Sequence, residues 1–141
     1  DLFLVCTGTG IAPFRSMIHH ILNHHIPHRN IHLIFGCRRL ADTLYQKEME
    51  ELQDQVPGFQ YHPVFSREVP ENREHLIRTG YVHAVYEEIC RNNISAEGNS
   101  SAIAVPAYFY LCGWKNMIDE AKKRIVDLGF DRKAIHLELY G

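Results

Sequence analysis

The strings Leu2-Phe3-Leu4-Val5-Cys6 and Thr7-Gly8-Thr9-Gly10, which follow one another, decide how the rest of the chain is interpreted. Five consecutive apolar residues are typical of a strand buried on both faces of a parallel sheet. Beyond the glycines, apolar residues recur at three-and-four spacing, as in an amphipathic helix. These residues are Phe14, Met17, Ile18, Ile21 and Leu22. The stretch therefore predicts a strand, a tight turn and a helix.

The same unit recurs along the chain. Apolar runs at residues 31–35, 59–65 and 107–112 each precede a helical pattern, and a final segment alternates Ile135, Leu137 and Leu139 inward. Alternating strands and helices imply right-handed crossovers and a parallel sheet. We therefore predict an α/β fold, with a doubly wound, mostly parallel five-stranded sheet and helices on both faces.

Three local features refine this prediction. Asp42 precedes the second helical pattern as a candidate N-cap, and Pro63 indicates an edge or bulged position for the third strand. Residues 91–106 are polar and rich in small side chains, so we predict an irregular connection there.

Composition limits the classes of function. The chain has 141 residues, of which 45% are hydrophobic, and this suits one domain over residues 1–141. Its formal net charge of −2 gives no overall attraction to nucleic acid or to anionic lipid. We therefore expect an anionic ligand to be bound by local groups.

The cysteines and the chain's first residues predict a cytoplasmic setting. Cys6, Cys37, Cys90 and Cys112 are far apart in sequence, without a CxxC pair. No apolar run approaches the roughly 20 residues that span a bilayer. Because the chain opens directly on an apolar strand, we expect a domain cut from a longer protein.

The first turn has the composition of a phosphate site. Ligands of open α/β sheets bind outside the carboxyl ends of the strands. There, Gly8, Thr9 and Gly10 lead into a helix whose early residue Pro13 has no N–H, so free amides and the positive end of the helix dipole face outward. An ordinary glycine turn between strand and helix is the alternative.

Motifs along nearly the whole chain resemble the nucleotide-binding domain of the ferredoxin-NADP reductase superfamily. In chain order they are Gly8-Thr9-Gly10-Ile11-Ala12-Pro13-Phe14, Phe35-Gly36-Cys37-Arg38, Leu44-Tyr45, Ser66-Arg67, Tyr110-Leu111-Cys112-Gly113 with Met117, and His136-Leu137-Glu138-Leu139-Tyr140. The resemblance implies an NAD(P)H-binding domain that works with FAD. It also implies that the FAD-binding barrel domain lies in the parent protein, outside this chain.

The resemblance assigns the adenosine end of the nucleotide to three residues. Ser66 and Arg67 match residues that bind the 2′-phosphate, and Arg38 matches a frequent helper, which favours NADPH. The acidic stretch 68–71 departs from the Lys and Tyr that many members place there. NADH as the donor, or simple solvation of both arginines, remains an alternative.

The resemblance assigns the nicotinamide end to the chain's last third. Cys112 and Glu138 match residues beside the nicotinamide, and Tyr140 matches a terminal ring that stacks on the flavin. Gly113 follows the cysteine, and Trp114 and Met117 are expected to line the same wall or to pack in the core. In this interpretation the cysteine aligns the nicotinamide and is not a nucleophile.

These observations predict that the chain is part of a reductase that transfers hydride from NADPH to FAD. The downstream acceptor is a ferredoxin, a flavodoxin, an oxygenase component or a fused redox domain. A nucleotide sensor without electron transfer is the alternative from another class. The histidines at positions 19, 20, 24, 25 and 28 suggest zinc only weakly, because no cysteine or carboxylate lies near them in sequence, and we expect no metal.

Overall fold

The computed structural model describes residues 1–67, 78–96 and 106–139, in which strands and helices alternate as predicted. The strands are β1 (Leu2–Thr7), β2 (Ile31–Cys37), β3 (Phe59–Phe65), β4 (Arg78–Thr79), β5 (Tyr108–Gly113) and β6 (Ile135–Leu139). The helices are α1 (Ile11–Asn23), α2 (Gln46–Gln55), α3 (Val82–Ala96) and α4 (Lys115–Asp127). Short 3₁₀ turns lie at Gly8–Gly10, Leu40–Asp42 and Arg132–Ala134.

The strands form one parallel sheet in the spatial order β4-β3-β2-β1-β5-β6. From β1 the chain moves to β2 and β3 on one side, and it later places β5 and β6 on the other side. The strand order therefore reverses between β1 and β5. In open α/β sheets, such a switch point creates a crevice outside the carboxyl ends of the strands.

Helices cover both faces of the sheet. Leu4 and Cys6 belong to an apolar cluster with α1 and α2, whereas Phe3 and Val5 belong to a second cluster with α3 and α4. We call these the α1–α2 face and the α3–α4 face. Each fully buried Leu, Val or Phe contributes about 1.5–3 kcal/mol relative to exposure. The predicted doubly wound α/β fold is confirmed.

The sheet has one strand more than the sequence predicts. β4 is two residues long and pairs with Val64 and Phe65 on the outer side of β3. A strand of two residues is too short to show a hydrophobic period, so the sequence pattern does not reveal β4. β4 begins at Arg78, beside Val64, so no described strand pairs with the outer side of β3 at Pro63. The predicted edge position is wrong for β3 as a whole, which lies between β2 and β4, and only the part of β3 around Pro63 lies outside the pairing with β4.

Two local predictions are wrong. α3 continues to Ala96, so the first part of segment 91–106 is helical, and an ion pair of 3.0 Å between Arg91 and Glu87 supports this extension. Residues 97–105 lie outside the described ranges. Asp42 does not cap α2; it accepts a hydrogen bond from the Arg39 amide at 3.2 Å, while Tyr45 occupies the N-cap position with φ 57°.

The inward position predicted for Leu137 is also wrong, because its side chain is 46% exposed. It borders an open groove of about 520 Å³ between α4 and β6, whereas Ile135 packs against the core of the α3–α4 face. Alternation along a strand shows which residues share a face. It does not show how far a helix covers that face.

One buried histidine gives the fold a dependence on pH. The His32 ring stacks on Phe3 with centroids 4.9 Å apart, and its Nδ1 lies 3.3 Å from Nε2 of His62 on β3. Burial lowers the pKa of His32 to about 4. The unfolded chain therefore binds a proton as pH falls below about 6.5, while the folded chain does not.

We expect the free energy of unfolding to fall by about 3 kcal/mol through His32 as pH drops from 6.5 to 4. His32→Gln removes the titrating group, so its urea unfolding should lose correspondingly less stability between pH 7 and pH 4. His28→Gln, at an exposed position, is the matched control and should keep the full loss. An unchanged pH dependence in His32→Gln would contradict this assignment.

Candidate functional site

A cavity of about 370 Å³ lies at the carboxyl edge of the sheet. Its volume is in the range of small-molecule sites. Because all the strands are parallel, residues at or just after their carboxyl ends meet there. They include Thr7 at the end of β1, Cys37 at the end of β2, Ser66 after β3 and Trp114 after β5. Other lining residues are Gly36, Arg38, Arg67, Gly80, Tyr81, Val82, His83, Asn116, Met117 and Glu120.

The structure brings Arg38, Ser66 and Arg67 to one wall of this cavity. The ladder between β2 and β3 continues beyond the strand ends, since the Ser66 amide donates to the Cys37 carbonyl and the Arg67 amide to the Arg38 carbonyl, both at 3.0 Å. Both guanidinium groups are exposed to solvent. With their backbones paired and both side chains lining the cavity, the two arginines suit a doubly charged phosphate, which a guanidinium can bind through two N–H groups.

The Arg38 guanidinium also lies near Trp114, another residue that lines the cavity. Its Cζ lies 5.9 Å from the ring centroid of Trp114, which is 55% exposed. This distance permits a cation–π contact. The backbone amide of Trp114 donates to Oγ1 of Thr7 at 3.4 Å. This hydrogen bond therefore joins the residue that lines the cavity after β5 to the last residue of β1.

The glycine turn has one open and one closed position. Gly8 adopts φ +54°, and a Cβ added there would meet nothing within 4 Å. Gly10 is buried, and its Cβ would lie 2.4 Å from the Cys112 carbonyl oxygen. Gly8 therefore exposes bare backbone to open space, as the approach of a ligand would require. At Gly10, a ligand is not the reason for glycine; the reason is close contact with the end of β5.

The first turn of α1 leaves room for an anion. No side chain caps its N-terminus, and Thr9 just before it is exposed. Pro13 is the third residue of the helix and is half-buried. The uncapped amides and the helix dipole favour negative charge at this point.

The end of β5 packs tightly against the end of β1. Gly113 adopts φ +151°, and a Cβ there would lie 2.2 Å from Oγ1 of Thr7 and 3.1 Å from Cε of Met117. Cys112 is 1% exposed and belongs to the cluster on the α1–α2 face, with Ile11 and Phe14. Met117 is buried at the cavity floor. Burial suits a packing role for this thiol and does not suit a nucleophile.

Glu138 lies beside Cys112 in the sheet. The two residues are register partners on the neighbouring strands β5 and β6, so their backbones meet at the carboxyl edge. The side chain of Glu138 and the whole of Tyr140 lie outside what the structure describes. Their assigned roles therefore stay predictions.

The sequence analysis missed several lining residues, and among them Tyr81, His83 and Glu120 have side chains suited to binding. Tyr81 is 72% exposed, and Tyr81 and His83 lie at the start of α3, which begins at the carboxyl edge. The signal that could have found them is Gly80, because the residues after a strand–helix turn face this edge. Glu120 lies in the middle of α4, where only tertiary packing reveals its position.

Both ring nitrogens of His83 have a polar partner. Its Nδ1 lies 2.7 Å from the Tyr86 hydroxyl, and its Nε2 lies 3.2 Å from Glu120. Burial lowers the pKa of His83 more than the nearby Glu120 carboxylate raises it. Arg124 bonds both Glu120 and Glu87, at 2.7 and 2.6 Å. A neutral His83 that donates to Glu120 and accepts from Tyr86 satisfies these contacts.

Two other features of the described residues are less suited to function. The groove between α4 and β6 is larger than the cavity, but it lies along the side of the sheet, away from most strand ends. The rings of His20 and His24 are 4.3 Å apart, yet no three metal-ligating side chains cluster in residues 1–67, 78–96 and 106–139. No helix in these ranges is long and apolar enough to cross a membrane.

Comparison with known proteins agrees with this geometry. Residues 4–123 match the family described as the oxidoreductase NAD-binding domain. The chain belongs to this family. A component of the Na⁺-translocating NADH-quinone reductase from Pseudomonas aeruginosa is 30% identical over 142 residues, which cover 100% of this chain and 33% of that protein. The chain thus spans about a third of the length of the curated relatives it matches.

Solved structures of similar fold include two reductases. The cytochrome P450 reductase GcoB from Amycolatopsis matches with a TM-score of 0.79 and 25% identity, over 99% of this chain and 37% of that chain. A ferredoxin-NADP⁺ reductase from Neisseria gonorrhoeae, with bound FAD and NADP, matches with a TM-score of 0.72 and 21% identity, over 99% of this chain and 55% of that chain. The resemblance to ferredoxin-NADP reductase domains is confirmed.

The two glycines of the turn should respond differently to substitution. We expect Gly10→Ala to destabilise the fold by about 3 kcal/mol, because backbone must move away from the new Cβ. Gly8→Ala should cost only about 1–2 kcal/mol, from its left-handed conformation. Gly8→Asn should recover most of this loss, since asparagine tolerates that conformation, whereas Gly10→Asn should not. Urea unfolding measures all four, and equal losses at both positions would contradict this contrast.

Proposed function

We propose that this chain is the nucleotide-binding part of an FAD-containing reductase that takes hydride from NADPH. The observation that carries the proposal is the convergence of Arg38, Ser66 and Arg67 on a cavity at the same sheet edge as the open Gly8 turn. Two separate anion-binding features at one edge suit a ligand with two separate phosphate groups. A dinucleotide with a 2′-phosphate has this chemistry.

The strand order supports one orientation for the nucleotide. The adenosine end would lie after β2 and β3, the diphosphate at the turn between β1 and α1, and the nicotinamide near the ends of β5 and β6. Neighbouring strands are about 4.8 Å apart, so β3 and β6 are separated by roughly 19 Å. The exposed ring of Tyr81, in the same cavity as the two arginines, has the character of a stacking surface for a base.

At the nicotinamide end, the chain's contribution is alignment. FAD, held by the barrel domain outside this chain, supplies the ring that accepts hydride. The end of β5 would lie beside the nicotinamide through its backbone, because the Cys112 thiol itself is buried. Glu138 would place a carboxylate near the nicotinamide, and Tyr140 would shield the flavin. The register pairing of Cys112 with Glu138 supports a shared role for these two positions.

NADH is the second candidate donor. The relative from Pseudomonas aeruginosa is described as part of an NADH-quinone reductase, and residues 68–71 are acidic where a 2′-phosphate site favours cations. Arg38 and Arg67 favour NADPH instead, because NADH would leave them without the phosphate. Affinity for the two adenosine halves decides between the donors.

We expect Arg67→Leu to weaken binding of 2′,5′-ADP by about ten- to a hundred-fold, through loss of charge-assisted hydrogen bonds to the 2′-phosphate. Binding of 5′-AMP should change little. Arg29→Leu, at an exposed arginine before β2, is the matched control and should alter neither affinity. Calorimetric titration gives both constants. If the unsubstituted protein binds 2′,5′-ADP and 5′-AMP equally, the donor is not NADPH.

A nucleotide sensor would bind the same ligand without electron transfer. In the full-length protein we expect bound FAD and reduction of ferricyanide by NADPH. Glu138→Gln should slow hydride transfer to the flavin by about ten- to a hundred-fold in stopped-flow measurements, with unchanged affinity for 2′,5′-ADP. Glu51→Gln, at an exposed position on α2, is the control. A colourless protein would favour the sensor.

We further propose the setting in which this part works. The FAD-binding barrel domain is its partner in the same polypeptide, and a separate carrier or a fused redox domain receives the electrons. The four cysteines are far apart in sequence and include no CxxC pair, which supports a reducing, cytoplasmic location. No nucleic acid enters this function.

A further inference from the structure

His83 is a buried imidazole at the wall of the cavity. Its side chain is only 6% exposed, yet it lines the same cavity as Arg38, Ser66 and Arg67. Buried ionisable groups are costly unless they are paired, and they cluster at functional sites. The proposed function assigns no role to this side chain.

The contacts of His83 suit both of its charge states. In the neutral ring, Nε2 donates to Glu120 at 3.2 Å and Nδ1 accepts from the Tyr86 hydroxyl at 2.7 Å. In the protonated ring, Nδ1 would donate to the oxygen of the same hydroxyl, whose O–H rotates away. Burial raises the pKa of Tyr86, so this hydroxyl keeps its own proton. A proton can therefore enter the ring while both contacts are kept.

The charges around His83 cancel one another when the ring is neutral. On α3, Glu87 bonds Arg91 at 3.0 Å, and on α4, Glu120 bonds Arg124 at 2.7 Å. Arg124 also bonds Glu87 at 2.6 Å, so two carboxylates face two guanidinium groups. This balance leaves burial as the main influence on the ring, and burial lowers the pKa of His83. His83 is therefore neutral near pH 7 when the cavity holds no anion.

A phosphate in the cavity would change this balance. The cavity has a volume of about 370 Å³, and Arg38 and Arg67 attract an anion into it. A phosphate monoester carries up to two negative charges, and a nearby negative charge favours the charged form of an imidazole. The protonated ring would then have the Glu120 carboxylate on one side and the phosphate on the cavity side.

We propose that His83 is a further phosphate-binding group of the nucleotide site, which takes up a proton from solvent when a phosphate enters the cavity. This inference rests on the proposed function, because it requires a nucleotide phosphate beside Arg38 and Arg67. It adds a third positive charge that is present only with the ligand. Glu120 and Tyr86 are positioning residues, because they act by holding the ring at its two nitrogens.

The sign of the pH dependence follows from this uptake. Binding raises the pKa of His83, so the contribution of His83 to affinity grows as pH falls below about 7 and levels off below the pKa of the free protein. The 2′-phosphate itself gains a proton at about pH 6, which weakens its binding and acts in the opposite direction. Comparison of two variants with the same ligand removes this second effect.

Titration calorimetry of the full-length protein with 2′,5′-ADP counts the protons taken up, when it is done at pH 6 in two buffers of different ionisation enthalpy. We expect the unsubstituted protein to take up several tenths of a proton more per ligand than His83→Gln, whose side chain does not titrate. His28→Gln, at an exposed histidine, is the matched control and should equal the unsubstituted protein. Equal uptake in His83→Gln and the unsubstituted protein would overturn the inference.

A second variant separates the lost proton from a lost hydrogen bond. The amide of His83→Gln can reach Glu120, whereas the shorter amide of His83→Asn can reach the Tyr86 hydroxyl. Both variants should lower the proton uptake equally, although they keep different contacts, and either one decides the test if the other does not fold. Uptake that is lost in only one of two folded variants would assign the effect to a contact and overturn the inference.

Affinity gives the same test without a count of protons. From pH 7.5 to pH 5.5, the affinity of the unsubstituted protein for 2′,5′-ADP should rise by about threefold to tenfold relative to that of His83→Gln. A constant ratio over this range would overturn the inference.

The same titrations separate this inference from the proposed function. Affinity for 2′,5′-ADP relative to 5′-AMP tests the NADPH site, whereas the proton count tests His83. If 2′,5′-ADP does not bind more tightly than 5′-AMP, the NADPH assignment and this inference fall together. If it binds more tightly and the proton count is the same with and without His83, only this inference is wrong.

Discussion

Two backbone contacts between β1 and β5 hold the candidate site together. Gly10 lies against the Cys112 carbonyl, and Gly113 lies against the backbone and hydroxyl of Thr7, which is possible because neither glycine has a side chain. This contact occurs where the strand order reverses. This contact therefore lies at the centre of the crevice. The arginines after β2 and β3 lie on one side of it, and β6 lies on the other side.

Charge around the crevice is arranged by the same topology. Arg38 and Arg67 are exposed at one end, while His83 and Glu120 join α3 to α4 at the cavity wall. Because His83 is buried and its pKa is lowered, it adds no positive charge near neutral pH. Among the described residues that line the cavity, the cations able to attract a phosphate are therefore Arg38 and Arg67, which follow the adjacent strands β2 and β3.

The sequence predicts much of this architecture, since continuous apolar runs and helical periodicity identify the five long strands and the four helices. Residues just after strands are also predictable, because parallel strands end at one edge, and Arg38 and Arg67 meet there as expected. Periodicity does not predict how far the helices cover each face of the sheet. For this reason the prediction that the Leu137 side chain points into the core is wrong. Glu120 was missed because its position depends on how α4 packs, and no local pattern encodes that.

The tryptophan at the cavity has a practical consequence. Trp114 is the chain's single tryptophan, and its half-exposed indole lies within reach of the Arg38 guanidinium at the cavity. Any molecule that enters must alter the polarity around that indole or displace the guanidinium. The intrinsic ultraviolet emission of the domain therefore arises mainly from one chromophore at its ligand entrance, and occupancy can be followed without an added label.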